Sequence, residues 1–554
     1  MSRRFPARIG ENVCLVLRSS RLLLLLAVAS AVVAALVVPG TASARVSPLG
    51  ARFQVIRVGG LTDGQFATLA RRGAVGLMRP GFGPTTSHRS AFAELVRGAE
   101  VNSHIGGTPP GKPLIGTEQL SGAEAMACHM CIIVQLPPPT GGGNNDKLYR
   151  VAIVGQGYHG LLTSPTTHIP GLVSIVDIAP TALQRTTTSL SWVAASNAVG
   201  RLDSLGQQIH ANNRLKYAAL FTLAGLLLLL ALLGLRAAVT AVPAALLVNL
   251  GLGVAQVSNE VLLMVGISAG TALLAFALAR VCRNDDALLM LYGGVVFLYA
   301  AAMVSRPEWQ AINPFGPTQN SRFWGIGNQV ETLLLAPLLA GAVLARRRFG
   351  PLGFLLFGFF GLVVMTDNRL GADGGGAIVL GVALAVLGWR LFRLRLSGLI
   401  ALLGASALAV LWLVQRGLAQ PGPDHLRSAF TGDGAGLLAS LASRWPLSYL
   451  PALHAWMLVA PLLLVLAAAF VVAWRRTDVP ATRDLLLALG VALVTSLLIN
   501  DSAGYELAAG VAVLGGAARF APTSAPVRIR VPVPAFLRRL GPEAKPVPSE
   551  SPPS

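Results

Sequence analysis

Three short stretches of this chain bring together residue types that hold a phosphorylated group: RFWGIGNQVE over 322–331, DNRLGADGGG over 367–376 and NDSAGYE over 500–506. Each contains glycine, which lets backbone approach a ligand closely. Each also runs into an apolar segment whose first N–H groups, free at a helix start, suit an anion. In this reading Arg322 and Arg369 pair with phosphate oxygens and Asp367, Asp373 or Asp501 holds a bridging divalent cation, while Asn328 and Glu331 line the same space. The competing reading makes Asn, Asp and Ser ordinary helix caps and assigns the glycines to turns and close packing. Glu331 and Glu506 weigh against it, because each sits one turn inside an apolar run, where a carboxylate is costly unless it has a use.

The elements that must carry these stretches are membrane helices. Only 12% of the 554 residues are charged. Apolar runs occur at 217–235, 238–257, 261–280, 286–304, 327–345, 350–366, 374–390, 397–415, 453–474, 483–500 and 503–518, about eleven spans by hydropathy. Arginine collects in alternate connections between them, at Arg236, at Arg280 and Arg283, at Arg346 to Arg348, at Arg390, Arg393 and Arg395, and at Arg475 and Arg476. Cytoplasmic loops carry such an excess, so the alternation assigns these turns to the cytoplasm, with a basic, Pro-rich and disordered tail over 519–554. The three glycine-bearing stretches then lie at the opposite, extracytoplasmic face. Few ionisable groups fall at mid-membrane depth, which argues against an ion pathway. The formal net charge of +20 is met by inner loops and chain ends facing anionic lipid, not by nucleic acid.

Residues 1–20 are basic, 21–38 are apolar and TASA over 41–44 has the small-residue pattern of a signal-peptidase site. The leader over 1–44 is either a cleaved signal or a first anchor helix, and its long basic start favours the anchor. Both readings export residues 45–213, which contain no spanning run and hold most of the histidines, ahead of a membrane domain over 214–518. Within the exported part FQVIRV over 53–58 reads as a buried strand, 63–72 as a helix with Phe66, Leu69 and Ala70 on one face, and 151–154 as a second strand. A further helix is expected to open at Asp177. Strands alternating with helices predict an α/β layered domain with a mostly parallel sheet. Cys128 and Cys131, on the oxidising side, read as a local disulfide or free thiols in preference to a metal site with His129. No second cysteine pair completes a four-thiolate site, and 132–134 reads as a strand where a redox pair wants a helix.

The segments VGGLT over 58–62, LARRGAVG over 69–76 and above all LTSPTTHIPGLVSIVDIAPT over 162–181 resemble the alkaline phosphatase superfamily, in a branch found in actinobacterial envelope membrane proteins. The resemblance covers the external domain and implies a reduced alkaline phosphatase-like fold there. It also implies two-metal phosphoryl chemistry, but the residues for it do not carry over. Gly59 and Gly60 stand where the family has a metal-ligating Asp, Thr85, Thr86 and Ser87 match the nucleophile only loosely, and Gln156 replaces an acid beside His159. Two cations on a phosphoryl group need several converging carboxylates and imidazoles. None of Asp63, Glu94, Glu100, Glu118, Glu124, Asp146, Asp177 and Asp203 matches a ligand position. The expectation is a fold kept without its chemistry.

These readings combine into a multi-pass envelope protein with a non-catalytic phosphatase-like external domain and an outer-face site for a membrane lipid or lipid-linked, phosphorylated envelope precursor, with no cofactor beyond that cation. Two alternatives stay open. One is a metal-dependent phosphatase or a phosphoryl- or glycosyl-lipid transferase using Asp367, Asp373 and Asp501, and the other is a lipid flippase or transporter, to which only the helix count points.

Overall fold

The computed structural model describes residues 53–81, 85–99, 112–140, 142–155, 157–185, 189–317, 323–418, 456–500 and 503–522. The leader over 1–44, the tail beyond 522, Gln156, Arg322 and Asp501 lie outside the described residues.

The strands are β1 (Gln54–Val58), β2 (Gly73–Arg79), β3 (Thr85–Ser87), β4 (Glu118–Gln119), β5 (Cys131–Gln135), β6 (Gly142–Asn144), β7 (Tyr149–Val154), β8 (Gly160–Thr163), β9 (Leu172–Ser174) and β10 (Ser191–Val193). All but β3 and β6 build one sheet in the order β10-β8-β2-β7-β5-β1-β4, with β9 also on β2. β1 runs parallel to β4 and β5, and β2 parallel to β8 and β9. However, β7 lies antiparallel to both β5 and β2, and β10 antiparallel to β8. The sheet is therefore mixed, where a mostly parallel one was expected. The reason lies between Gln135 and Tyr149: prolines and glycines occupy that connection, and its described residues form the short strand β6 and no crossover helix, so β7 returns antiparallel beside β5.

Both faces of the sheet are covered. Alternation sends Ile132, Val134, Val151 and Ile153 to one face and Cys131, Ile133, Ala152 and Val154 to the other, which explains why these strands read as continuous apolar runs. Helix α1 (Asp63–Arg72) brings Phe66 and Leu69 to the second face; it starts at Thr62, which exchanges hydrogen bonds with Gln65 in a capping box. Helix α2 (His88–Arg97) covers the first face with Ala91 and Leu95, together with α3 (Ile178–Ala182).

Beyond the sheet come α4 (Ala198–Leu232), α5 (Ala237–Val254), α6 (Glu260–Val281, with a π turn over Gly266–Gly270), α7 (Asp285–Ser305), the short α8 (Pro307–Ala311), α9 (Asn328–Thr366), α10 (Gly374–Leu391), α11 (Leu396–Leu418), α12 (Trp456–Arg476), α13 (Pro480–Ile499) and α14 (Ala503–Ala517). Among the described residues, nine helices are long and apolar enough to cross a membrane. One of them, α9, is two arms joined at Gly350, whose left-handed φ of 71° turns the chain. With α14 included, each of the eleven apolar runs coincides with a helix or a helix arm. Large apolar side chains such as Leu273, Leu356, Leu408 and Leu464 point outward from the bundle, as they do where the surroundings are lipid.

Contacts sort the helix ends into two groups. Arg347 and Arg348 pair with Asp285 and Asp286 at 3.4 Å, and Arg390 pairs with Asp484 at 2.9 Å. Arg236 donates to the carbonyls of Cys282 and Arg283, and Arg519 to that of Ala231. These arginine-bearing turns share one end of the bundle. At the other end the starts of α9, α10 and α14 meet the end of α13, and there the α/β domain is seated. Its link is α4, roughly 50 Å long at 1.5 Å per residue. The boundary expected between 213 and 214 falls inside this unbroken helix, which places Ala198 and Leu202 in the sheet's core and Leu220, Leu223 and Leu227 in the bundle's. A small apolar cluster of Ile169, Leu172, Ile209, Ala311, Ile312 and Phe323 closes the seam.

Candidate functional site

Two buried polar constellations lie at the seated end. The first contains the expected loop residues. Asn328 opens α9 and Glu331 follows one turn later, fully buried. The Asn500 side-chain amide, at the end of α13, donates to Glu331 Oε2 at 2.8 Å and to Ser496 Oγ at 3.0 Å. Asn328 Nδ2 reaches Glu506 Oε1 at 3.4 Å, and Glu331 lies within electrostatic reach of both Asp373 and Glu506. Glycine makes this approach possible: a Cβ on Gly376 would sit 2.8 Å from Glu331 Cγ, and one on Gly375 would run into the Asn500 amide. Asp373 Oδ1 accepts from the Gly376 N–H at 2.9 Å, the helix-cap role foreseen as its alternative.

The structure thus brings Asn328, Glu331 and Asp373 together with Asn500 and Glu506. Asp367 stands apart, its Oδ1 accepting the Arg369 backbone N–H at 2.9 Å and so closing a turn that Trp324 Nε1 braces through the Asn368 carbonyl. Among the described residues no group of three His, Cys, Asp or Glu side chains is arranged to hold a metal ion. Among the described residues the convergence is one of carboxylates and amides; Arg322 and Asp501, two members of the expected guanidinium-and-cation clamp, lie outside them. A cluster of carboxylates does not by itself supply anion chemistry.

The second constellation was not foreseen. Gln208, Asn212 and Lys216, four residues apart, form a buried polar stripe on α4. Gln208 Nε2 donates to the Ile312 carbonyl at 3.2 Å, and Lys216 Nζ to that of Gly316 at 2.8 Å. The ammonium also lies 5.9 Å from the ring centre of Tyr505, which stacks on Tyr217 at 4.2 Å. From above comes Arg79, the last residue of β2 and fully buried. Its Nη1 donates to the Asn145 carbonyl and its guanidinium lies 5.3 Å over the ring of Phe323. Burial pulls its pKa down to about 10, against the opposing pull of Asp146. The signal available in the sequence was the spacing of Gln208, Asn212 and Lys216 just ahead of an apolar run.

In the α/β domain the 162–181 segment builds a turn. Asp177 is buried and accepts from the hydroxyls of Ser164 and of Thr166, the latter at 2.9 Å. Ser164 Oγ in turn accepts from the backbone N–H groups of Thr166 and Thr167, and Thr167 Oγ1 donates to the Leu172 carbonyl at 2.8 Å. This network presents His168 and Ile169 to the bundle. Of the loose nucleophile candidates, Thr86 donates to the Pro80 carbonyl at 3.2 Å and Ser87 caps α2. Asp63 pairs with Arg150, and Glu124 caps a turn at Ser121, whose N–H and hydroxyl hold its carboxyl below the usual range. His159 packs on Trp192 with ring centres 3.5 Å apart. Cys128 and Cys131 form a disulfide.

Together these features define a multi-pass helical membrane protein with a mixed α/β domain seated on one end of its bundle. No family model, curated protein or solved structure matches the chain.

Proposed function

We propose that this protein recognises, without hydrolysing, the phosphorylated headgroup of an amphipathic cell-envelope precursor at the extracytoplasmic face, where the phosphatase-like α/β domain sits. The arginine-bearing end of the bundle then faces the cytoplasm, together with the C-terminal tail. One observation carries the reading: the α/β domain and the helix ends enclose buried polar side chains between them, at the edge of the apolar zone where lipid headgroups lie. Support for a non-catalytic role comes from what three of the domain's acids do. Asp177 holds a turn, Asp63 pairs with Arg150 and Glu124 caps Ser121, which leaves them committed to structure.

The test uses the full chain extracted in a patch of its own membrane. Native mass spectrometry is expected to find a phosphorylated amphiphile retained in stoichiometric amount, with no divalent-dependent release of phosphate from p-nitrophenyl phosphate. Metal-dependent turnover of that ester, or absence of any retained phosphorylated lipid, rejects the proposal.

A further inference from the structure

We propose that Arg79 and Lys216 form a built anion site for a phosphate or diphosphate group at the seam between the α/β domain and the helix bundle. The inference rests on the function proposed above and assigns it residues.

The seam carries an imbalance of charge. Arg79 is 0% and Lys216 1% exposed, yet neither takes part in an ion pair among the described residues. Asp146 acts on Arg79 only from beyond ion-pair distance. Arg79 lies over the ring of Phe323 and Lys216 bonds the Gly316 carbonyl, so both cations are buried at the same seam, which makes their joint burial costlier than either alone.

Both cations also keep unspent donors. A guanidinium carries five N–H groups in a planar fork, and here Nη1 serves the Asn145 carbonyl while Nε and Nη2 meet no acceptor. The Lys216 ammonium has three and gives one to Gly316. Nearby, Asn212 Oδ1 and Gln310 Nε2 are also buried and unpartnered. A buried charge is stable when paired and hydrogen-bonded. Arg79 comes from the α/β domain and Lys216 from α4, so an anion between them is met from two sides. A phosphate, with several acceptor oxygens and more than one negative charge, matches a fork plus a point charge better than a carboxylate does. Either a lipid headgroup or a free phosphate supplies that chemistry.

The experiment uses the full chain in phosphatidylcholine nanodiscs. Titration with inorganic pyrophosphate is expected to raise the unfolding midpoint saturably, where sodium chloride of equal ionic strength does not. Arg79→Met and Lys216→Met are each expected to weaken pyrophosphate binding at least tenfold by calorimetry, and Lys216→Arg to retain it. A second arm places phosphatidic acid in the nanodisc and reads its retention by native mass spectrometry. Retention that depends on Lys216 identifies a lipid headgroup as the ligand, and pyrophosphate binding without it identifies a free phosphate; both support the site. Should a methionine variant fail to fold, the wild-type titration and Lys216→Arg still decide. A flat wild-type response in both arms overturns the proposal. Phosphatidic acid retained equally by wild type and both methionine variants overturns this site while leaving the proposed function standing.

Discussion

The imidazole of His168 lies 4.2 Å from the indole of Trp324, their planes tilted by 46°. One ring belongs to the α/β domain and the other to the approach to α9, so this contact ties the domain to the bundle. His168 holds a left-handed φ of 56°, a conformation that L-residues other than glycine adopt at a cost. The turn network anchored on Asp177 accepts that cost in order to aim the ring. A double-mutant cycle of His168→Ala and Trp324→Ala, read by thermal unfolding, should give a coupling of about 0.5–1.5 kcal/mol. His168→Gly loses the same ring but relieves the backbone, and should be more stable than His168→Ala by about 1 kcal/mol. Equal stabilities would show that the backbone strain is not released at this position.

Asp177→Asn tests whether the hydrogen-bonded turn over 164–177 is architectural. The carboxylate accepts from Ser164 and Thr166, and an amide nitrogen in place of one oxygen would face a hydroxyl donor. The expected loss is about 1–3 kcal/mol, the cost of a buried polar group left unmatched. Hydrogen exchange should rise first in 164–174, with 328–366 unchanged. A variant as stable as wild type would mean the network does not hold the turn.

How much of this was legible in the sequence follows from which physical signal each feature leaves. Membrane helices announce themselves by apolar length and α1 by its amphipathic face, so their bounds differ by only a few residues from those expected, except that α4 begins at Ala198 and not at 217. Strand direction leaves no such mark: β5, β7 and β1 are buried on both faces whether their neighbours run parallel or antiparallel, and only the helix-free connection between Gln135 and Tyr149 carried a hint. At the site, Glu331, Asp373 and Glu506 stood out one by one as acids at apolar helix ends. Their meeting depends on Asn500 finding Glu331 across 169 residues, a tertiary fact without a local trace. Lys216 was passed over because hydropathy began the membrane run one residue later, at Tyr217, which drew a domain boundary through the middle of α4.

Glu331 offers a test of the acidic constellation. Its side chain is fully buried, within reach of two other carboxylates, and its Oε2 accepts from Asn500. Glu331→Gln keeps an acceptor for Asn500 and removes one of the mutually repelling groups, so its unfolding temperature should equal or exceed that of wild type. Glu331→Ala leaves the Asn500 amide short of a partner and opens a void, and should cost about 1–3 kcal/mol. If Glu331→Gln instead lost as much as Glu331→Ala, the negative charge itself would be required, as it is when a bound cation depends on it.

Cys128 and Cys131 are three residues apart in sequence, so their disulfide closes a very short loop. Loop-closure entropy then limits its contribution to roughly 2 kcal/mol. Replacing both by Ala should lower stability by no more than that and leave pyrophosphate binding unchanged. A larger loss, or any change in binding, would assign the pair a role beyond stapling the start of β5.

Sidedness decides whether the seated end meets headgroups of the outer leaflet. The turns carrying Arg236, Arg347, Arg348, Arg390 and Arg519 gather at one end of the bundle and the α/β domain at the other, so one label on each end fixes the orientation of the whole protein. Arginine excess marks cytoplasmic loops because anionic lipid retains them and translocating them is costly. In a cysteine-free background, Lys112→Cys on the exposed surface of the α/β domain should react with a membrane-impermeant maleimide in intact cells. Arg475→Cys, at the end of α12, should react only after the membrane is opened. The disulfide adds an independent argument in the same direction, since a Cys128–Cys131 bond persists in an oxidising compartment and is reduced in the cytoplasm. Labelling of Arg475→Cys in intact cells with protection of Lys112→Cys would invert the molecule, place Arg79 and Lys216 at the inner leaflet, and replace an envelope precursor by a cytoplasmic phosphate as the ligand to seek.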